Sequence, residues 1–210
     1  CDEWVAAIVG PLISDGLIQG KAVKKCLKPV LDDPFNGQII AQLALAMMAN
    51  ITANIDEGIH KLVRQGLAWI FSNAKKSSTA ERMVSNMQGL LSQLLPGIAL
   101  SVEFYKKLFA KEDPSAVSAW LTEAFKNVNI SDNVSLGDLA FGVTAAVFAD
   151  AAAAEVPAEW NDVLKMTISN EDVCQNGCTD AIDAIGPFMR WKPADKLGLI
   201  NALADGGVLK

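Results

Sequence analysis

Apolar residues return every three to five positions along most of this chain, and nowhere do they alternate with a period of two for more than a few residues. A period near 3.6 gathers them on one face of an α-helix, whereas a period of two would gather them on one face of a strand, so the pattern predicts helices throughout. The strongest stretch runs from Gly37 to Ala74, where Ile40, Leu43, Met47, Ile51, Ile55, Ile59, Leu62, Leu67 and Ile70 line one side. Unbroken, it would be roughly 55 Å long, with Gly58 or Gly66 as the points where it would bend. A second stretch, Leu136 to Ala154, carries two apolar stripes, Leu139–Val143–Val147–Ala151 and Phe141–Ala145–Phe148–Ala152, which leave it almost no polar face. A helix without a polar face belongs inside, so this one is expected at the centre.

Start and stop signals divide the remainder. Asp2 to Ser14 reads as a short apolar helix interrupted at Gly10-Pro11, and Leu17 to Lys28 as a basic helix ended by Pro29. Ser78-Thr79-Ala80-Glu81 fits a capping box for a helix that turns Met83, Met87, Leu90, Leu91, Leu94 and Leu95 inward. Pro96-Gly97 kinks that helix or divides it from Ile98–Ala110, Asp113-Pro114 opens a helix through Trp120, Leu121 and Phe125, and Ser135 to Asp138 caps the central helix. Pro157 starts a short helix through Trp160 and Leu164. Ser169 caps one that holds Cys174 and Cys178 and runs to Gly186-Pro187, and Pro193 opens the last. The expected fold is an all-α, single-domain bundle of about eight to ten helices covering residues 1–210.

Composition adds that the interior is large. Of the 210 residues, 51% are hydrophobic and 20% charged, which excludes disorder and leaves an apolar surplus that must line a thick core, a cavity, a subunit interface or a membrane contact. A membrane span is disfavoured, because the longest apolar runs contain Gln42, Asn50, Asp138 and Asp150. The net charge of −6 excludes nucleic acid as a partner, since phosphate neutralisation needs a surplus of lysine and arginine. Lys21, Lys24, Lys25 and Lys28 are the one basic cluster, spaced to stack on a single helical face. That face suits an anionic membrane surface, or it is simply solvated.

Four cysteines, Cys1, Cys26, Cys174 and Cys178, lie near the two ends with a long gap between them. The arrangement predicts disulfide staples in which Cys1 and Cys26 each bond to one of Cys174 and Cys178, in an order the sequence leaves open. Zinc fits less well, because Cys-x3-Cys with two remote single cysteines departs from the spacing of structural zinc sites. A first residue of Cys1 fits a mature chain after signal-peptide removal, and a lipid-anchored chain less well, since Trp4 to Ile8 is apolar at once. Together with three glycosylation sequons, at Asn50, Asn129 and Asn133, these features predict a secreted, extracellular glycoprotein.

Candidate chemistry is sparse. His60 is the lone histidine; Glu57-Gly58-Ile59-His60 matches the Glu-x-x-His element of di-iron bundles, but no second histidine exists to complete such a site, so no metal is expected. Asp56-Glu57, Glu112-Asp113, Glu171-Asp172 and Asp180 with Asp183 are the acidic pairs, better read as charges in first helical turns than as catalytic groups. No nucleophile elbow, phosphate loop or dinucleotide fingerprint occurs, and no catalytic residue is assigned.

Soft, adaptable residues then decide the reading. Met47, Met48, Met83, Met87 and Met166 fall on predicted helices, and methionine suits a cavity for varied apolar ligands as well as it suits a core. The sequence is read as a secreted carrier whose helices enclose an apolar small molecule, a lipid, pigment or similar, lined by Met47, Ile51, Trp69, Met83, Met87, Trp120, Phe141 and Phe148. That molecule is the one expected ligand, with no other cofactor. The alternative is a secreted structural protein that self-assembles into a homo-oligomer through apolar helix faces, and a third reading is an enzyme using an acidic pair.

Overall fold

A computed structural model describes residues 2–19, 21–23, 25–26, 36–51, 55–87, 95–127, 130, 132–151, 154–168 and 171–210. Among these residues all regular structure is helical, as the periodicity requires. The α-helices are α1 (Asp2–Ser14), α2 (Gly37–Asn50), α3 (Glu57–Asn73), α4 (Ser78–Asn86), α5 (Pro96–Phe109), α6 (Pro114–Asn127), α7 (Asn133–Asp150), α8 (Asn161–Ile168), α9 (Asp172–Met189) and α10 (Pro193–Asp205). A 3-10 turn, Ala158–Trp160, leads into α8. The chain divides into two compact units, Cys1–Leu94 and Leu95–Lys210.

In the first unit α1 packs on α2, α2 on α3 and α3 on α4. Gly10-Pro11 does not interrupt α1: Pro11 sits inside the helix, and Gly10 is buried where α1 meets α2. A Cβ on Gly10 would lie 2.5 Å from the Cβ of Asn50, so glycine here sets the approach of the two helices. α1 ends in a Schellman motif. Leu17 N–H donates to the Leu12 carbonyl at 2.8 Å and Gly16 N–H to the Ile13 carbonyl at 2.9 Å, while Gly16 takes the left-handed conformation at φ 72°.

The long apolar stretch from Gly37 to Ala74 is two helices rather than one bent helix. Ile51 turns to extended backbone at φ −94°, ψ 123°, and α3 restarts at Asp56, whose carboxylate accepts the N–H groups of Gly58 at 3.0 Å and Ile59 at 3.2 Å. The apolar period survives this break because α2 and α3 both turn the same kind of stripe inward. Gly66, expected as a bend, is instead a contact point: a Cβ there would lie 2.9 Å from the Cβ of Ala44. The cap of α4 falls one residue earlier than the capping box suggested, with Ser77 Oγ accepting the Ala80 N–H at 3.5 Å. Leu90, Leu91 and Leu94 lie outside the described residues.

The second unit is built around α7, flanked by α5 and α9, as its lack of a polar face predicts. From Gly137 to Phe148 every residue of α7 is buried. Glycines bring the helices together: Gly97 lies against the Ser135 carbonyl, Gly142 against the Ser101 side chain, and Gly177 against the Gly137 carbonyl. The cap of α7 is Asp132, which accepts the Ser135 N–H at 2.8 Å, so Ser135 to Asp138 lie inside the helix and Asp138 is fully buried there. Pro96 opens α5 at its first turn, dividing it from what precedes, and Asp113 caps α6 through the N–H groups of Ser115 and Ala116, both at 3.1 Å. α9 has Glu171 at its N-cap position, Ser169 lying outside the described residues, and it continues through Pro187 to Met189, ending on Arg190 at φ 58°.

The disulfide staples need correction. Cys26, Cys174 and Cys178 are free thiols, and Cys1 lies outside the described residues. Cys174 and Cys178 stand one turn apart on α9, both buried, with Cys178 beside the Thr144 hydroxyl of α7, whereas Cys26 is exposed. Burial, together with the Glu171 charge, raises the Cys174 thiol, and burial pushes Cys178 up to about 11. Thiol reagents are therefore expected to label Cys26 promptly in the native protein and Cys174 and Cys178 only on unfolding, which mass spectrometry of the labelled peptides will read. A thiol whose proton is held more tightly in the folded state contributes stability below its unfolded value of 9.0 and loses it as pH rises toward about 11. Urea midpoints should fall across that window, and fall less in Cys178→Ala. Tyr105, which burial also raises, shares the alkaline loss.

Candidate ligand-binding interior

The eight residues expected to line a cavity fall into two groups. Met47, Ile51, Trp69, Met83 and Met87 belong to the first unit, and Trp120, Phe141 and Phe148 to the second. The second group is engaged by protein. Phe148 meets the Trp191 ring edge-on with centroids 6.4 Å apart, the Lys107 ammonium lies 5.0 Å from the centre of the Trp120 ring, and Phe141 is buried where α7 faces Gly177. Phe104 and Trp160 stack edge-on in the same unit at 5.4 Å, and the Thr122 hydroxyl donates to Met166 Sδ at 3.2 Å. In the second unit, then, glycine contacts draw the helices together and aromatic rings pair edge-to-face.

The first group has different surroundings. Met47 and Ile51 continue the stripe of α2 begun by Ile40 and Ala44, the stripe that meets Gly66 of α3. Residues 74–77 turn the chain from α3 into α4, and the two helices are in contact. Met47, Met48, Met83 and Met87 are all buried.

Two oxygens on α3 stand out among these apolar groups. Ser72 is 4% exposed and its Oγ has no hydrogen-bond partner, and Gln65 Oε1 is likewise sealed from solvent without a partner. Seven residues apart, they share one helix face with Trp69 between them. A buried oxygen without a partner costs about 1–3 kcal/mol. The periodicity passed over both because serine and glutamine at single positions do not disturb an apolar stripe; their spacing of two turns on the face of Trp69 was the available signal.

The other candidates are structural in their surroundings. Asp56 and Asp113 cap helices; hydrogen bonds from Ser115 and Ala116 hold the Asp113 carboxyl below its ordinary range. Burial works against the Asp132 carboxylate, but the Ser135 N–H and hydroxyl still hold it low. Glu112 pairs with Lys107 at 3.1 Å and Asp183 with Lys196 at 3.0 Å. Among the described residues no three His, Cys, Asp or Glu side chains converge as a metal site. His60 is half-buried on α3. Of the sequons, Asn133 is exposed at the start of α7, Asn129 lies outside the described residues, and Asn50 is half-buried with its Nδ2 donating to the Ala46 carbonyl at 2.7 Å.

What the fold defines is an all-helical chain in two compact units, with paired aromatic rings in one and buried methionines in the other. No protein family, curated protein or solved structure matches the sequence or the fold.

Proposed function

We propose that the first unit holds an apolar small molecule of lipid-like character that carries a hydrogen-bond donor, and that the protein is an extracellular carrier for it. The observation that supports this is the pair of sealed, unpartnered oxygens on α3, Ser72 Oγ and Gln65 Oε1, on one helix face with Trp69 between them. A ligand hydroxyl, amine or protonated carboxyl placed there would satisfy Ser72 or Gln65 while its apolar body lies against flexible methionine side chains. In this reading the molecule lies against Met47, Ile51, Trp69, Met83 and Met87 of the first unit. Extracellular export and glycosylation belong to the same proposal, with exposed Asn133 as the acceptor and Asn50 excluded because a glycan on its Nδ2 would compete with the bond to Ala46.

Denaturing organic extraction of protein from its natural source, followed by mass spectrometry, is expected to release one dominant class of apolar molecule in stoichiometric amount. Ser72→Ala provides the control that separates binding from folding. Losing an unpartnered buried hydroxyl leaves stability unchanged or raises it by up to about 1 kcal/mol, while the bound molecule is lost or its affinity falls about fivefold. An empty extract from the unaltered protein overturns the carrier reading. A native mass that grows with protein concentration would put self-assembly in its place.

A further inference from the structure

We propose that α1 and the lysine segment after it form a docking face for an anionic lipid bilayer. The apolar part of the face is built by the end of α1. Ile8 is 60% exposed and Leu17 72% exposed. Ile8 and Leu12 are one turn apart on α1, and the Schellman motif folds Leu17 back onto the turn of Leu12, the hydrophobic contact that commonly accompanies that motif. Ile8 and Leu17 are thus exposed apolar side chains of this segment, and Leu12 is half-buried.

The charged part follows immediately. Residues 21–23 and 25–26 are helical, and Lys21 and Lys25, one turn apart, are both exposed. The Lys21 backbone N–H donates to Asp56 Oδ2 at 3.3 Å, which ties the segment to the start of α3. In sequence, Lys24 and Lys28 join them, and between Leu17 and Lys28 there is no acidic residue, although the whole chain carries −6. Asp15 is exposed at the end of α1, and Asp56 is occupied by its N-cap bonds and the Lys21 N–H. Exposed apolar side chains followed directly in the chain by exposed lysines complement a bilayer interface with anionic headgroups: the leucine and isoleucine enter the acyl boundary and the ammonium groups meet the charge. No described helix is long and apolar enough to cross a membrane, so the contact is with the surface. This inference stands on the exterior of the unit and does not rest on the ligand interior.

Co-sedimentation with vesicles tests it. The full chain is expected to bind vesicles of phosphatidylcholine with phosphatidylserine, to bind pure phosphatidylcholine vesicles far less, and to be released by salt. Each lysine near an anionic surface contributes about a fivefold change in partitioning, so Lys21→Gln with Lys25→Gln should weaken binding roughly thirty-fold. Ile8→Ser with Leu17→Ser should weaken it as well, and all four positions are exposed, so helical content and melting should stay as in the parent. Lys126→Gln, at an exposed lysine of the second unit, should change nothing. Binding that ignores phosphatidylserine, or that survives the lysine pair, overturns the proposal. Loss of self-association rather than of vesicle binding in the Ile8–Leu17 variant would assign the face to a second copy of the chain.

Discussion

Gly177→Ala is expected to destabilise the second unit by about 3 kcal/mol, because the added methyl has no side chain to displace. It would meet the Gly137 carbonyl oxygen and lie 3.2 Å from the Phe141 nitrogen, both of them backbone atoms of the central helix α7. Relief requires α9 to move away from α7, which unpacks the contact that buries Cys178, Ala181 and Ile185. Alanine's better helix propensity offsets only about 1 kcal/mol of this. Gly97→Ala should behave alike, since its methyl meets the Ser135 carbonyl. The contrast is Gly198→Ala in α10, where nothing lies within 4 Å of the new methyl; there the propensity gain stands alone and stability should rise by about 0.5–1 kcal/mol. Urea unfolding by circular dichroism reads the signs, and hydrogen exchange of the α7 amides assigns the change to the second unit. A Gly177→Ala protein as stable as the parent would mean that α7 and α9 are not in this close contact.

Phe148→Ala is expected to cost about 4 kcal/mol, the usual cost of emptying a fully buried phenylalanine site. Phe148 has no exposed surface, and its neighbour Trp191 meets it edge-on at 6.4 Å without being able to fill the void, since Trp191 is itself only half-buried beyond the end of α9. Trp191→Ala should cost less. A double-mutant cycle between the two should return a coupling of about 0.5–1.5 kcal/mol if the ring pair is as close as described. Zero coupling would break that assignment. A destabilisation of this size without any effect on extracted ligand would place Phe148 in the core rather than in a cavity wall.

Much of the fold was legible along the chain. The all-helical class follows from a period of three to four that never gives way to two, and the central position of α7 follows from two apolar stripes that leave it no polar face. The Asp113-Pro114 start was equally readable, because an N-cap carboxylate and a first-turn proline act within a few residues of each other. Local signals misled where two of them competed. Ser135 looked like a cap, but Asp132 three residues earlier takes the Ser135 N–H. The Gly37–Ala74 stretch looked continuous because Ile51 and Ile55 kept its period, although the chain leaves the helix at Ile51 and restarts under the Asp56 carboxylate.

The candidate site was legible only as a set of residue types. Met47, Trp69, Met83 and Phe148 are equally suited to lining a cavity and to filling a core, because the same side chains serve both.

By itself, then, the sequence determined the helical class, the buried centre and most helix starts, since each depends on periodicity or bonds between near neighbours. Tertiary structure alone decided that Gly97, Gly142 and Gly177 are contact points, that Cys174 and Cys178 turn inward as free thiols, and that Ser72 and Gln65 are sealed without partners. Those outcomes depend on which atoms of a distant helix arrive within a few ångströms, and no spacing along one helix encodes that distance.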